Sequence, residues 1–295
     1  MARIREVWIP CSGARCHGLL YTPDDGGGGP GVVMAMGFGM VKEAHADDYA
    51  GYFADRGLTV LAFDYRRFGR SEGEPRQALY PMDQVSDYRC AIHWLRESGQ
   101  VDPDRICVWG TSFSGGHVVT LLAFPPTGVR CGVAQVPNLY SYKTALSYFG
   151  SLEPVMILAD QGRGACCRGE PGYISIVSES GEPAVLMSEE ARSYYLEKAA
   201  QLETFVNRIT LDSLDRILAY NPGDYAPLVN KPILIVVASR DKTTPPEQAR
   251  EATSRMPGPV KLVELDAGHF DVYKDSLLSE VRRLEADFML RHLGG

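Results

Sequence analysis

Eight short apolar runs, separated by longer amphipathic stretches, limit what this chain can fold into more than any other feature. They are EVWIP (6–10), ARCHGLLY (14–21), GVVMAM (31–36), LTVLAFD (58–64), RICVWG (105–110), CGVAQV (131–136), KPILIVVAS (231–239) and VKLVEL (260–265). Helical patterns are expected near 45–56, 82–97, 113–124, 245–256 and 276–292; in the second, Val85, Tyr88, Ile92 and Leu95 recur at helical spacing. Strands alternating with helices argue for an α/β fold, a mostly parallel sheet with helices on its faces. The glycine-rich TPDDGGGGPG (22–31) joins two early strands with no helix signal behind it, and reads as a flexible hairpin loop rather than a phosphate cradle.

The rhythm stops after residue 138. From 139 to 230 no strand–helix unit recurs; TALSYFGSLEPVMILA (144–159) and SEEARSYYLEKAAQLETFVNRI (188–209) read as helices, with CCRGEPGYISIVSESGEPAV (166–185) irregular between them. Ser188 suits an N-cap, Glu189 and Glu190 suit the first turn, and Ala191, Tyr195, Leu202, Phe205 and Ile209 form an apolar stripe. The expected organisation is a core of 1–138 plus 231–295, with 139–230 inserted as a helical cap over the carboxyl ends of the strands, where such sheets bind ligands.

Composition removes several function classes. A net charge of −7 argues against nucleic acid, whose backbone demands clustered cations. No run approaches the ~18 apolar residues of a membrane span, and MARIREVWIP lacks a signal-peptide core. The seven Cys are odd in number and show no metal-ligand spacing; Cys166 and Cys167, adjacent in sequence, read as two free thiols. A cytoplasmic protein with a small-molecule substrate is expected, without metal or organic cofactor, and with a second copy of itself as the one macromolecular partner left open.

Chemistry is signalled by CVWGTSFSGG (107–116), two serines among small residues after an apolar run. A serine hydroxyl needs an exposed geometry and a base, and a sharp strand-to-helix turn with small residues two positions either side supplies the exposure. With the strand read as ending at Trp109, the frame Gly110-x-Ser112-x-Ser114 puts the turn at the strand end, so Ser112 is the expected nucleophile and Ser114 the small neighbour. Of six histidines, His269 follows a strand on a turn bearing Gly268, as a base delivered to the sheet top requires. His17, His93, His117 and His292 read as structural or solvated, and His45 carries a weaker expectation of the same kind. Asp241, ending the run ILIVVASRD, is the expected acid; Asp266 and Asp271 stand too close in sequence to reach the His269 ring. The oxyanion donors are expected from the backbone N–H groups of Phe113 and Phe38, with Gly39 as second choice for the latter.

With these residues in place, the chain resembles the α/β-hydrolase superfamily over nearly its whole length. GTSFSGG (110–116), SRDKTTPP (239–246) and DAGHFDVY (266–273) look like its nucleophile, acid and histidine segments, in its usual order. FDYRRFGRSEGEPRQ (63–77) and VDPDRICVWG (101–110) are similar to its turn after the fourth strand and the strand feeding the nucleophile. The resemblance implies an eight-stranded sheet, and among capped members it is nearer to peptidase-like and dienelactone-hydrolase-like enzymes, some of them associated with polyketide pathways. Two departures stand out: Met36-Gly37 replaces His-Gly at the oxyanion turn, and Arg67 replaces a glycine, either projecting toward the cleft or adopting negative φ.

The expected function is hydrolysis of an ester, lactone or thioester of a small, largely apolar metabolite through Ser112, His269 and Asp241, with activity falling on acidification as His269 takes up a proton. A triad-dependent lyase eliminating an acyl group, a carbon–carbon bond hydrolase, and a ligand receptor on a hydrolase scaffold are the alternatives.

Overall fold

The computed structural model describes residues 2–24 and 26–294; Asp25, in the glycine-rich loop, lies outside the described residues. β1 (Arg3–Cys11) and β2 (Ala14–Thr22) form an antiparallel hairpin through Ser12 and Gly13, both at positive φ (47° and 83°), as a tight two-residue turn requires. β3 (Gly31–Ala35) is followed by 3₁₀ and π turns and the short α1 (Tyr52–Asp55), then β4 (Thr59–Phe63) and α2 (Pro81–Glu97). β5 (Ile106–Thr111), α3 (Phe113–Ala123) and β6 (Val129–Gln135) complete the first part of the core.

Residues 139–230, called the inserted stretch after the expectation above, carry α4 (Ser141–Phe149), α5 (Glu153–Cys167), β7 (Tyr173–Ser175), α6 (Glu189–Gln201), β8 (Arg208–Thr210) and α7 (Ser213–Ala219). β9 (Ile233–Ala238), α8 (Pro246–Thr253), β10 (Val260–Leu265) and α9 (Asp275–Leu293) then return to the core. The main sheet has eight strands in the order β1-β2-β4-β3-β5-β6-β9-β10, parallel except where β2 pairs with β1 and β4. Every residue of β3, β4, β5 and β9 is buried, as a sheet covered by helices on both faces demands.

All eight apolar runs are strands of this sheet, but several local expectations need correction. β2 and β3 are not paired; β4 lies between them, so 22–31 joins two strands that are not neighbours and is not a hairpin loop. The stretch 144–159 is two helices, because Gly150 at φ 66° ends α4 and Pro154 starts the first turn of α5. The stretch 188–209 leaves the helix at Leu202, and Arg208–Thr210 pairs as a strand with Tyr173–Ser175, inside the segment read as irregular. Ser188 does cap α6, its Oγ accepting from Ala191 N at 3.1 Å.

Cys11 at the end of β1 and Cys90 in α2 form a disulfide, a pairing of residues 79 apart that their spacing did not suggest. Cys166 and Cys167 are free, as are Cys16, Cys107 and Cys131. Among the described residues no helix is long and apolar enough to cross a membrane.

β5 is held from below by α9, where Trp109 Nε1 donates to Glu285 Oε2 at 2.9 Å. Glu285 is completely buried, and desolvation raises its pKa from 4.5 to about 8. The folded chain therefore binds this proton more tightly than the unfolded chain, and the stability it contributes is greatest below the ordinary Glu range and is lost as pH rises toward 8. Glu285→Gln keeps an acceptor for Trp109 and cannot ionise. Its melting temperature relative to wild type should therefore shift in the variant's favour between pH 5 and pH 8; an unchanging difference would show that Glu285 does not titrate there.

Candidate active site

β5 runs two residues beyond Trp109, so Ser112 rather than Gly110 starts the turn into α3. Ser112 has φ 55° and ψ −119°, a conformation that costs about 1–3 kcal/mol outside glycine and survives only where neighbours over-determine it. Here its N–H donates to Gln135 O at 2.8 Å, and its carbonyl accepts from Gly115 N and Asn138 N, both at 3.0 Å. A Cβ on Gly110 would collide with the Ser114 carbonyl, which explains the glycine. Ser114 is fully buried; its hydroxyl donates to the Met36 carbonyl and accepts from Tyr65 Oη at 2.5 Å, so it ties the turn down and does not face a ligand.

The loop after β9 carries Asp241 and the loop after β10 carries His269. Asp241 Oδ2 lies 2.6 Å from His269 Nδ1, and His269 Nε2 lies 3.1 Å from Ser112 Oγ. An ionised carboxylate only accepts, so Nδ1 carries the ring proton and Nε2 presents its lone pair to the serine. Asp241 Oδ1 accepts from the Thr243 and Thr244 amides, each at 2.7 Å, and Thr244 Oγ1 lies 2.9 Å from Oδ2 and 3.2 Å from His269 Nδ1. His269 and Asp241 are both buried. Asp266 pairs with Arg240, and Asp271 accepts from Gly268 N at 2.8 Å, so neither meets the His269 ring.

Phe113 is the first residue of α3, where a helical N–H has no partner within its helix. Phe38 follows β3 on the loop that approaches Ser112, and the two phenyl rings meet edge to face at 5.5 Å. Among the described residues neither amide donates to a protein acceptor, and both residues line the same pocket as Ser112. Gly39 has φ 63°, and a Cβ on it would press on Ile176 from the inserted stretch.

That pocket has a volume of about 630 Å³ and runs from Ser112 and His269 into the inserted stretch, between apolar side chains including Phe149, Val155, Leu158, Leu186 and Leu218. The same stretch reaches each loop of the site. Tyr195 Oη donates to the Phe38 carbonyl at 2.7 Å, Glu190 Oε1 accepts from Phe270 N at 3.0 Å, and Tyr148 Oη lies 3.0 Å from the Lys242 carbonyl.

The other histidines lie outside the Ser112 hydrogen-bond chain. His117 is buried between Tyr220 Oη (2.8 Å) and Gln84 Oε1 (3.0 Å), and desolvation lowers its pKa to about 3. His17 is buried edge-on to Trp8, His93 is exposed and His292 packs on Phe288. His45 is buried near the site, bonded to Asp48 and Tyr194. Arg67 follows neither expectation: its φ is 75°, and its guanidinium pairs with Asp83 at 2.7 Å and stacks over Tyr80, outside the pocket. His17, Glu43 and Asp64 approach one another closely enough to suggest a cation site, but the Lys42 ammonium already lies 2.6 Å from Glu43 and 2.7 Å from Asp64.

Sequence reasoning missed Thr244, Tyr195, Tyr148 and the tertiary role of Glu190. Glu190 carried a signal only for a helix start and Tyr195 only for an apolar stripe; neither signal pointed to the site.

A doubly wound sheet with a strained serine turn after its fifth strand in sequence order defines an α/β hydrolase. The family model for X-Pro dipeptidyl-peptidases (S15 family) matches residues 12–160, and the chain belongs to this family. It is 31% identical to polyketide transferase af380 of Aspergillus fumigatus over 294 residues, 98% of each chain. It is 28% identical to quorum-quenching protein AidA of Acinetobacter baumannii, over 97% of this chain and 94% of that one. The crystal structure of the alpha/beta hydrolase GrgF from Penicillium sp. superposes with a TM-score of 0.87 at 26% identity, covering 99% of this chain and 100% of that one. These relatives make the protein one of a family of hydrolases and acyl-handling enzymes.

The Glu190 tether can be tested by a pair of variants. Glu190→Ala removes the acceptor for Phe270 N and should lower turnover of an acyl ester about tenfold, the worth of one hydrogen bond, while Glu190→Gln, which keeps a carbonyl oxygen as acceptor, should stay near wild type. Equal losses in both would assign Glu190 a role other than accepting that bond.

Proposed function

We propose that the protein is a serine hydrolase that cleaves an ester, lactone or thioester of a small, largely apolar metabolite. The observation that carries this reading is the Asp241–His269–Ser112 hydrogen-bond chain at the head of an apolar pocket. In this reading Ser112 Oγ attacks the substrate carbonyl while His269 Nε2 takes its proton, and Asp241 stabilises the imidazolium. The Phe38 and Phe113 amides receive the oxyanion, and the leaving group departs with the proton from His269. Water then resolves the acyl-enzyme. Residues 139–230 act as the cap that holds the acyl group.

The family's peptidase heritage does not extend to this pocket in our reading. Among its described lining residues there is no Asp or Glu to receive the free amine of a dipeptide-releasing substrate. The similarity to a polyketide transferase favours a second reading, in which a hydroxyl or thiol of another metabolite takes the acyl group in place of water.

Two measurements test the assignment. Ser112→Ala should cost on the order of 10⁴–10⁶ in turnover and abolish labelling by a fluorophosphonate; retained labelling would move the nucleophile elsewhere. Across a series of p-nitrophenyl esters, kcat/KM should rise by up to about fourfold per added CH₂ until the pocket is filled, since burying one methylene is worth about 0.8 kcal/mol. A flat series would place the acyl group outside the pocket.

A further inference from the structure

Ser112 and His269 line two spaces, and the proposed mechanism uses one. Besides the large pocket they border a cavity of about 20 Å³, whose other walls include Met40, His45, Tyr194 and Tyr273. This is room for one water molecule and too little for an alcohol of metabolite size. Two of its polar lining residues, His45 and Tyr194, belong to a second hydrogen-bond chain that starts behind the wall at Asp48: Asp48 Oδ2 lies 3.1 Å from His45 Nδ1, and His45 Nε2 lies 2.8 Å from Tyr194 Oη.

The direction of this chain follows from its chemistry. Ionised Asp48 can only accept, so His45 carries its proton on Nδ1. Burial lowers the pKa of His45, which keeps the ring neutral and leaves Nε2 as an acceptor. Burial raises the pKa of Tyr194 well above 10, so the phenol stays protonated and donates to Nε2. Its oxygen then has lone pairs but no proton to offer, so toward the cavity Tyr194 is purely an acceptor. His45 is held in place by Tyr273, stacked on it at 4.4 Å.

We propose that this cavity seats the water that releases the acyl group from Ser112, with Tyr194 Oη accepting one of its hydrogens and His269 Nε2 the other. The inference rests on the acyl-enzyme reading above. As the water oxygen bonds to the acyl carbon, one proton passes to His269 Nε2. When the tetrahedral centre collapses, the carbon–Oγ bond breaks, Ser112 Oγ takes that proton back, and the carboxylic acid leaves. The hydrogen on Tyr194 is not transferred; it fixes the orientation of the attacking lone pair. An acceptor larger than water would have to arrive through the large pocket, so hydrolysis and transfer would draw on different spaces.

Quenched-flow mass spectrometry with a p-nitrophenyl acyl ester times acylation and deacylation of Ser112 separately. Tyr194→Phe, which keeps the ring and removes the acceptor, should leave acylation within about twofold and slow deacylation about tenfold or more, the worth of one hydrogen bond. Met40→Phe, which fills the cavity from another side, should show the same split, and melting temperatures check that each variant is folded. Deacylation unchanged in both variants, or both steps slowed equally, would overturn the water site while leaving the acyl-enzyme intact. Absence of any Ser112 adduct in wild type would instead remove the acyl-enzyme reading, and this inference with it.

Discussion

Ser112 holds a backbone conformation that an L-residue avoids, and the rest of the site is arranged around that constraint. The turn keeps this conformation because the carbonyl end of β6 takes its N–H and the start of α3 and Asn138 take its carbonyl. Small residues make this approach feasible: Gly110 clears the Ser114 carbonyl, and Gly115 and Gly116 let α3 lie against Pro137 and Asn138. The hydroxyl is thereby raised from the sheet edge toward the loops after β9 and β10. Strain of this kind persists at functional sites because surrounding structure leaves the chain no cheaper alternative.

The loop carrying Phe38 is fixed from two directions. Beneath it, Asp64 at the end of β4 accepts from Lys42 N at 2.8 Å and from the Lys42 ammonium at 2.7 Å, all out of contact with water. Burial raises the Asp64 pKa against the opposing pull of Lys42, and breaking such a pair by removing one partner ordinarily costs about 3–5 kcal/mol. Above it, Tyr195 of the inserted stretch holds the Phe38 carbonyl. The acid and histidine loops are tied to the same stretch through Tyr148 and Glu190. A change in how residues 139–230 sit would therefore reach every loop of the candidate site.

Much of the core was legible because its signals are local. Each of the eight strands is a contiguous apolar run, and the serine turn, the acid and the histidine each stand within a few residues of a strand end. The inserted stretch was less legible. Helix was legible over 144–159 and from Ser188, where a capping serine and first-turn acids mark a start, but the break at Gly150 and the pairing of Tyr173–Ser175 with Arg208–Thr210 were not. Three-residue strands are too short for a periodicity to register, and the second depends on a partner more than thirty residues away. The Cys11–Cys90 bridge escaped notice for a similar reason: 79 residues separate the two, and no local pattern records that β1 and α2 lie together.

The sequence by itself determined the eight strands of the main sheet and which side chains have the chemistry to act, because hydrophobic periodicity and turn residues are written in neighbouring positions. Only the tertiary structure decided which of those side chains meet. It brought Ser112, Asp241 and His269 within hydrogen-bond reach, turned His45 toward Asp48 and Tyr194, and left Arg67 outside the pocket. Those outcomes depend on the sheet order and on distances between residues far apart along the chain, and both are set by global packing rather than by any short segment.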